Sequence, residues 1–191
     1  MNAQDLKNSI LQLAVQGKLV EQRPEEGTAK ELLEQIKTEK EQLIKDKKIK
    51  KEKPLPEITE EEIPFEIPES WEWIKLGNIC SVKTGSLDAN AQNSNGEYAF
   101  FTCGREVFKT DTYAFDCDAI LLGGNNASGD YKMHRYSGKF NVYQRVYVIS
   151  STEKNFLDYI YPELFMKSIF STIKRYNFYL FRNFIFHLLS E

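Results

Sequence analysis

Residues 57–79 read EITEEEIPFEIPESWEWIKLGNI, and Pro54, Pro56, Pro64 and Pro68 punctuate that stretch and its lead-in. Each proline lacks an amide donor and biases its predecessor away from the α region, so 54–70 is expected to run extended. No helix can cross it, and the chain is thereby divided in two. Ile58, Ile63, Phe65 and Ile67 alternate with glutamates, which suits a strap lying along a surface. Trp71 and Trp73, two apart on an extended chain, project to one side and would staple the strap to a core.

The part before the strap has helical periodicity. Leu6, Ile10, Leu13 and Gly17 recur at steps of four, three and four, predicting an amphipathic helix over roughly 4–18. After Pro24 and Gly27, Thr28 and Glu31 form a capping-box pattern ahead of TAKELLEQIKTEKEQLIKDKKIKKEK. Fully helical, that segment of about 25 residues would reach about 40 Å. Leu32, Leu33, Ile36, Leu43 and Ile44 form a narrow stripe on a charged rod. Such a stripe suits pairing with another helix, within or between chains; the alternative is a solvated helix lying on its own domain, its lysines at 45–53 fraying into water.

After the strap the texture changes to short β-type runs separated by Gly, Asn, Asp and Ser. Predicted strands are 79–83, 98–102, 119–123, 132–136 and 143–149. A last amphipathic piece with Phe165, Ile169 and Ile173 on one side predicts a helix starting near Pro162. The expected class is α+β: a helical arm (1–53), a proline-rich linker (54–73) and a mainly β domain with flanking helices (74–191).

Composition removes several classes of function. A net charge of -3 excludes a histone-like, wholly basic binder, so any nucleic-acid role must come from the arrangement of charge. Cys80, Cys103 and Cys117 are odd in number and form no C-x-x-C pair, which speaks against a disulfide framework or a zinc site and for small residues in a reducing cytoplasm. The N-terminus lacks a signal-peptide pattern, and FYLFRNFIFHLL is too short and too interrupted to span a bilayer, so the expectation is a soluble cytoplasmic protein.

Reactive constellations are missing as well. No phosphate-binding G-x-x-x-x-G-K-[ST], G-x-S-x-G elbow, H-E-x-x-H or G-x-G-x-x-G occurs, and His134 and His187 are isolated. His134 falls in a polar, hairpin-like run where exposure or contact with a partner is expected. Asp116 and Asp118 have the appearance of turn residues leading into a strand rather than of metal ligands. What remains is a set of donors suited to phosphates and base edges: Thr84-Gly85-Ser86, Arg105, Gly123-Gly124-Asn125-Asn126, Lys132, Arg135, Lys139, Asn141 and Arg145. The plainer reading is that the glycines and asparagines make turns and the cations are solvated surface.

The order of the segments carries more than any one of them. LKNSILQLAVQGKLV, then ELLEQIKTEKEQLIKDKKIKKEKPLP, then EIPFEIPESWEWIKLGNI resembles the opening of specificity subunits of type I restriction-modification systems. The resemblance continues through VKTGS, YAFFTCGRE, YAFDCDAILLGG and YSGKFNVYQRVYVI, which look like a target recognition domain, and covers about residues 4–170. It implies a non-catalytic subunit in which one such domain reads half of a split duplex DNA target. The helices would then space the reading domains and dock the methyltransferase subunit, with a restriction subunit joining the full complex. S-adenosylmethionine, ATP and Mg would be used by those partners and no cofactor by this chain. The loops 84–86, 123–126 and 136–141 would form the DNA-facing rim, carrying Thr84, Gly85, Ser86, Arg105, Asn125, Asn126, Lys132, Arg135, Lys139 and Asn141. NFYLFRNFIFHLLSE departs from the spacer helix that should follow, the pattern of a truncated, frame-shifted or half-length form, and two copies could then pair through their helices. The competing function is a helical interaction module that reads no DNA.

Overall fold

The computed structural model describes residues 2–21, 23, 25, 27–51, 53–63, 65–124, 132–151, 156–158, 160–161, 164 and 185–188. It divides into two compact units, one of residues 1–79 with 184–191 and one of 80–183. The strap falls in the same unit as the helices, which extends to Ile79.

In the first unit, α1 (Ala3–Val15) begins at a capping box in which the Asn2 side chain accepts from Asp5 N–H at 2.8 Å and Asp5 accepts from Asn2 N–H at 3.2 Å. It stops at Gly17, whose φ of 67° lets Lys18 N–H donate back to the Leu13 carbonyl at 2.9 Å. A Cβ there would also meet Pro68 at 2.5 Å and Trp71 at 2.9 Å, so glycine is required both by conformation and by space. The capping box at Thr28 and Glu31 is present as its spacing predicts and opens α2 (Ala29–Lys45).

α2 is shorter than the rod expected from the sequence. Its 17 residues end where Lys47 turns left-handed, at φ 56°, and Lys48 N–H bonds the Leu43 carbonyl at 2.9 Å. Beyond Leu43 and Ile44 no apolar stripe remains to hold the repelling lysines in a helix. What α2 does bury is local: Ala29 and Ile36 are buried, Ala29 N–H donates to the Ser70 carbonyl at 2.8 Å, and Lys40 Nζ donates to the Asn78 carbonyl at 3.2 Å.

The strap is not uniformly extended, because the proline-free TEEE supports one 3₁₀ turn, Glu60–Glu62. Both tryptophans act inside this unit. Trp71 is buried over Gly17, and Trp73 meets Phe65 edge-on at 5.1 Å, so the pair fastens the strap and the end of α1 to each other. β1 (Glu72–Lys75) carries Trp73, leads into the single turn α3 (Leu76–Ile79) and pairs antiparallel with β8 (Ile185–Leu188), a strand that the sequence did not suggest.

The second unit is a six-stranded sheet made of β2 (Ser81–Thr84), β3 (Tyr98–Phe101), β4 (Val107–Thr110), β5 (Phe115–Gly123), β6 (Met133–Val142) and β7 (Val146–Ser150). The order is β2-β7-β5-β6-β3-β4, antiparallel except for the parallel β3–β6 pair. Phe101, Ala119, Leu121, Phe140, Val142, Val146 and Val148 cluster on one face. Ile120 and Leu122 point to the other face and are buried too, which is why 119–123 is continuously apolar rather than alternating. β6 bends around Phe101, whose ring lies 5.2 Å from His134, 5.0 Å from Tyr136 and 6.0 Å from Phe140.

After the sheet, residues 156–158 and 160–161 are already helical, ahead of the start expected near Pro162. Phe156, Leu157, Ile160 and Leu164 are buried, a spacing that marks one helical face. The predicted stripe of Phe165, Ile169 and Ile173 lies outside the described residues. Among those described, no helix is long and apolar enough to cross a membrane.

Candidate nucleic-acid interface

Four chain segments meet at one end of the sheet, drawn together by backbone hydrogen bonds. Leu87, just past β2, bridges Tyr143, and Gln144 N–H donates to the Leu87 carbonyl at 2.9 Å. Tyr143 N–H in turn reaches the Phe101 carbonyl at 2.8 Å, where β3 gives way to residues 102–106. Gly124, past the end of β5, donates to the Arg145 carbonyl at 2.7 Å, and Gly123 to the Lys132 carbonyl at 2.9 Å. Residues 84–88, 102–106, 143–146 and the ends of β5 and β6 at 123–124 and 132–133 therefore form one rim.

Glycines allow this approach. A Cβ on Gly85 would lie 2.1 Å from the Val142 carbonyl oxygen, and one on Gly124 would lie 2.9 Å from the Arg145 carbonyl oxygen and 2.7 Å from the Tyr147 ring. These are backbone contacts that no side chain could share. Gln144 Nε2 also donates to Asp88 at 2.8 Å, tying the turn to the segment after β2. That link was not legible in the sequence, where the two residues stand 56 apart.

The rim gathers only some of the expected donors. Thr84, Ser86 and Arg105 are exposed on it, Lys132 is half-buried, and Arg145 is exposed on the 143–146 turn. Lys83 is exposed beside Thr84 and adds a further cation, against Asp88 and Glu106. Asn125 and Asn126 lie outside the described residues.

Four expectations change. The 136–141 segment is not a loop but the body of β6, paired with β5 from Tyr136↔Ala119 to Phe140↔Phe115. Asn141 is buried, only 3% exposed; its amide donates to the Thr112 carbonyl at 3.3 Å, and its Oδ1 accepts from Val142 N–H at 3.0 Å. A buried amide must find partners inside, and this one has been used up in doing so. Arg135 forms a two-pronged ion pair with Asp118 and reaches Asp158 at 3.3 Å, so its charge is spent holding the helical segment to the sheet. Burial pulls its pKa down, but the two carboxylates outweigh that and raise it. Asp116 and Asp118, expected in a turn, are both in β5.

Lys139 is exposed at the far end of β5, opposite Asp116 in register and 4.8 Å above the Tyr113 ring. Cys80, Cys103 and Cys117 are thiols rather than disulfides: Cys80 is buried, Cys103 and Cys117 are half-buried, and desolvation pushes both of the latter thiols up. Among the described residues no cluster of His, Cys, Asp and Glu could hold a metal ion.

The curled mixed sheet thus carries a glycine-lined, cation-bearing rim. Residues 68–188 match the family described as the type I restriction modification DNA specificity domain, and the chain belongs to that family. It is 46% identical over 83 residues to the type I restriction enzyme EcoDI specificity subunit of Escherichia coli, covering 44% of this chain and 18% of that protein. To the EcoAI specificity subunit of the same organism it is 59% identical over 80 residues, covering 42% of this chain and 14% of that protein. The chain thus spans less than a fifth of the length of the curated relatives it matches. Among solved structures, the HsdS subunit from Thermoanaerobacter tengcongensis superposes with a TM-score of 0.53 at 13% identity, over 66% of this chain and 35% of that one. The type I restriction-modification S subunit from M. genitalium gives 0.51 at 14% identity, over 68% and 37%. At those identities the agreement is one of fold.

Proposed function

We propose that this chain is a non-catalytic, sequence-specific DNA-recognition component of a type I restriction-modification complex, reading one half of a bipartite duplex target. The observation that carries the reading is the family match over 68–188, whose residues include the whole rim. Lys83, Arg105, Lys132 and Arg145 supply phosphate contacts that set register, and the 84–88 segment and Gly123-Gly124 reach the base edges.

The partners follow from the same reading. Leu6, Ile10 and Leu13 leave the stripe of α1 exposed, a surface suited to the methyltransferase subunit, and a restriction subunit completes the assembly. Methyl transfer from S-adenosylmethionine and ATP- and Mg-dependent cleavage belong to those subunits. Pairing of two copies through their helices would bring two reading domains onto one duplex, which light scattering at several concentrations tests.

The decisive experiment mixes the full chain with its methyltransferase subunit and a randomised duplex pool. Enrichment of a defined half-site is expected, with affinity falling steeply as salt rises because phosphate contacts release counterions. Equal retention of all duplexes at moderate salt would overturn the reading.

A further inference from the structure

We infer that His134 is a positioning residue that presents Arg105 to DNA, with Cys103 as its second strut; this rests on the DNA-reading role proposed above. Arg105 is the exposed cation of residues 102–106, a segment with no ladder of its own. A long cation on an untethered segment would lose much of its contact to the entropy of holding it in place. Two side chains supply the tether.

His134, the second residue of β6, places Nε2 3.0 Å from the Gly104 carbonyl oxygen, the peptide immediately before Arg105. A carbonyl only accepts, so the ring must carry its proton on Nε2. The imidazole is itself fixed from beneath by the Phe101 ring, 5.2 Å away. On the other side of the segment, Cys103 Sγ lies 3.3 Å from the Gly124 carbonyl oxygen and 3.6 Å from that of Arg145. Desolvation raises the Cys103 pKa, which keeps the thiol protonated as a donor. Gly123 leaves room for this, since a Cβ there would come within 3.1 Å of Cys103 Cα. The struts thus pin the peptides on both sides of Gly104 to β6 and to the 143–146 turn, and Arg105 projects from a fixed base. The isolated histidine in the sequence acquires a use without any chemistry.

The test is a double-mutant cycle read by duplex affinity, with the full chain and its methyltransferase subunit present. Arg105→Ala is expected to weaken binding by about tenfold and to lower the salt slope by about one. His134→Phe, which keeps the ring on Phe101 and removes the donor, should reproduce most of that loss but add little on the Arg105→Ala background. His134→Gln, whose amide can stand in for Nε2–H, should restore binding. Multiplicative losses in the double variant would overturn the inference and leave the DNA-reading role standing. Absence of any duplex preference in the unaltered chain would remove the role and the inference together. Should His134→Phe fold poorly, ¹⁵N shifts of the unaltered imidazole decide instead: a proton on Nδ1 alone leaves no donor toward Gly104 and refutes the strut.

Discussion

The two compact units solve the problem of stability in opposite ways. The sheet unit buries Phe100, Phe101, Phe140, Ile120, Leu121, Leu122 and Ile149 almost completely, so it is held by apolar area. Among its described residues the helical unit buries a smaller set, Ala29, Ile36, Trp71, Leu76 and Ile79, while Leu6, Ile10 and Leu13 remain exposed, and it leans more on caps, the Gly17 contact and the buried Lys75. Lys75, 2% exposed, is matched by Glu62, whose carboxylate oxygens lie 3.3 and 3.4 Å from Nζ. A unit built on directional, polar contacts leaves apolar surface over for a partner, whereas one built on a core spends it on itself. The contrast predicts that large apolar truncations matter most in the sheet, and that polar substitutions matter most in the strap.

The largest effect should come from Phe101→Ala, which removes the ring around which β6 bends. A loss of about 3–5 kcal/mol is expected, read as a fall in the denaturant midpoint. A cost below about 1 kcal/mol would mean that the sheet is not organised by that ring. Next is Gly85→Ala. Because its Cβ would fall 2.1 Å from backbone oxygen, the 84–88 segment must move, at a cost of about 1–3 kcal/mol. Since the moved segment belongs to the rim, duplex affinity should drop further than stability alone accounts for, which comparison of binding with the thermal melt will show.

How much of this was legible in the chain depends on the range of the interaction. Thr28 and Glu31 announce the start of α2 because a capping box is complete within four residues, and AILL announces β5 because burial on both faces makes the run continuous. The sequence leaves the end of α2 open between a full rod and lysines leaving the helix from 45 onward; α2 ends at Lys45, and the left-handed Lys47 that closes it has no sign in type or spacing. β4 was missed because VFKT at a sheet edge is short and half-exposed, and β8 because its partner, β1, lies more than a hundred residues upstream. The same distinction governs the rim. Thr84-Gly85-Ser86 and Arg105 could be placed by local turn chemistry, but Arg135 and Asn141 looked identical to binding donors until Asp118, Asp158 and Thr112 came into view, and those partners, from a strand, a helical segment and a connection, are set only by the tertiary fold.

The strap provides the next test. Glu62 has its pKa lowered, first by the Thr59 N–H that donates to it at 3.0 Å and then by Lys75, with desolvation opposing. A lowered folded value means that the carboxylate contributes stability fully above its unfolded value near 4.5 and loses it as pH falls through the folded value below that. Glu62→Gln should remove the same contribution at neutral pH. Because Glu62 is partly solvated, the cost is expected to be about 1–2 kcal/mol rather than that of a fully buried pair. If the variant and the unaltered chain lose stability in parallel below pH 4.5, the pair is not what holds the strap.

The smallest predicted change sharpens the comparison furthest, because beyond a hydroxyl it removes only one methyl, on an exposed residue. Thr28→Ala leaves the helix sequence intact but deprives Glu31 N–H of its side-chain acceptor, so that only the backbone N–H of residue 28, donating to the Glu31 carboxylate at 3.0 Å, remains of the capping box. A loss of about 0.5–1 kcal/mol is expected. In a core-held domain such a change is absorbed by neighbouring burial, but the first turn of α2 also delivers Ala29 N–H to the Ser70 carbonyl, the join between helix and strap. Amide exchange at Ala29 and Trp71 should therefore accelerate together in Thr28→Ala. If Ala29 accelerates and Trp71, whose N–H donates to the Pro68 carbonyl at 3.0 Å, stays protected, then the tryptophans hold the strap without help from the cap, and the helical unit is more core-like than its exposed leucines imply.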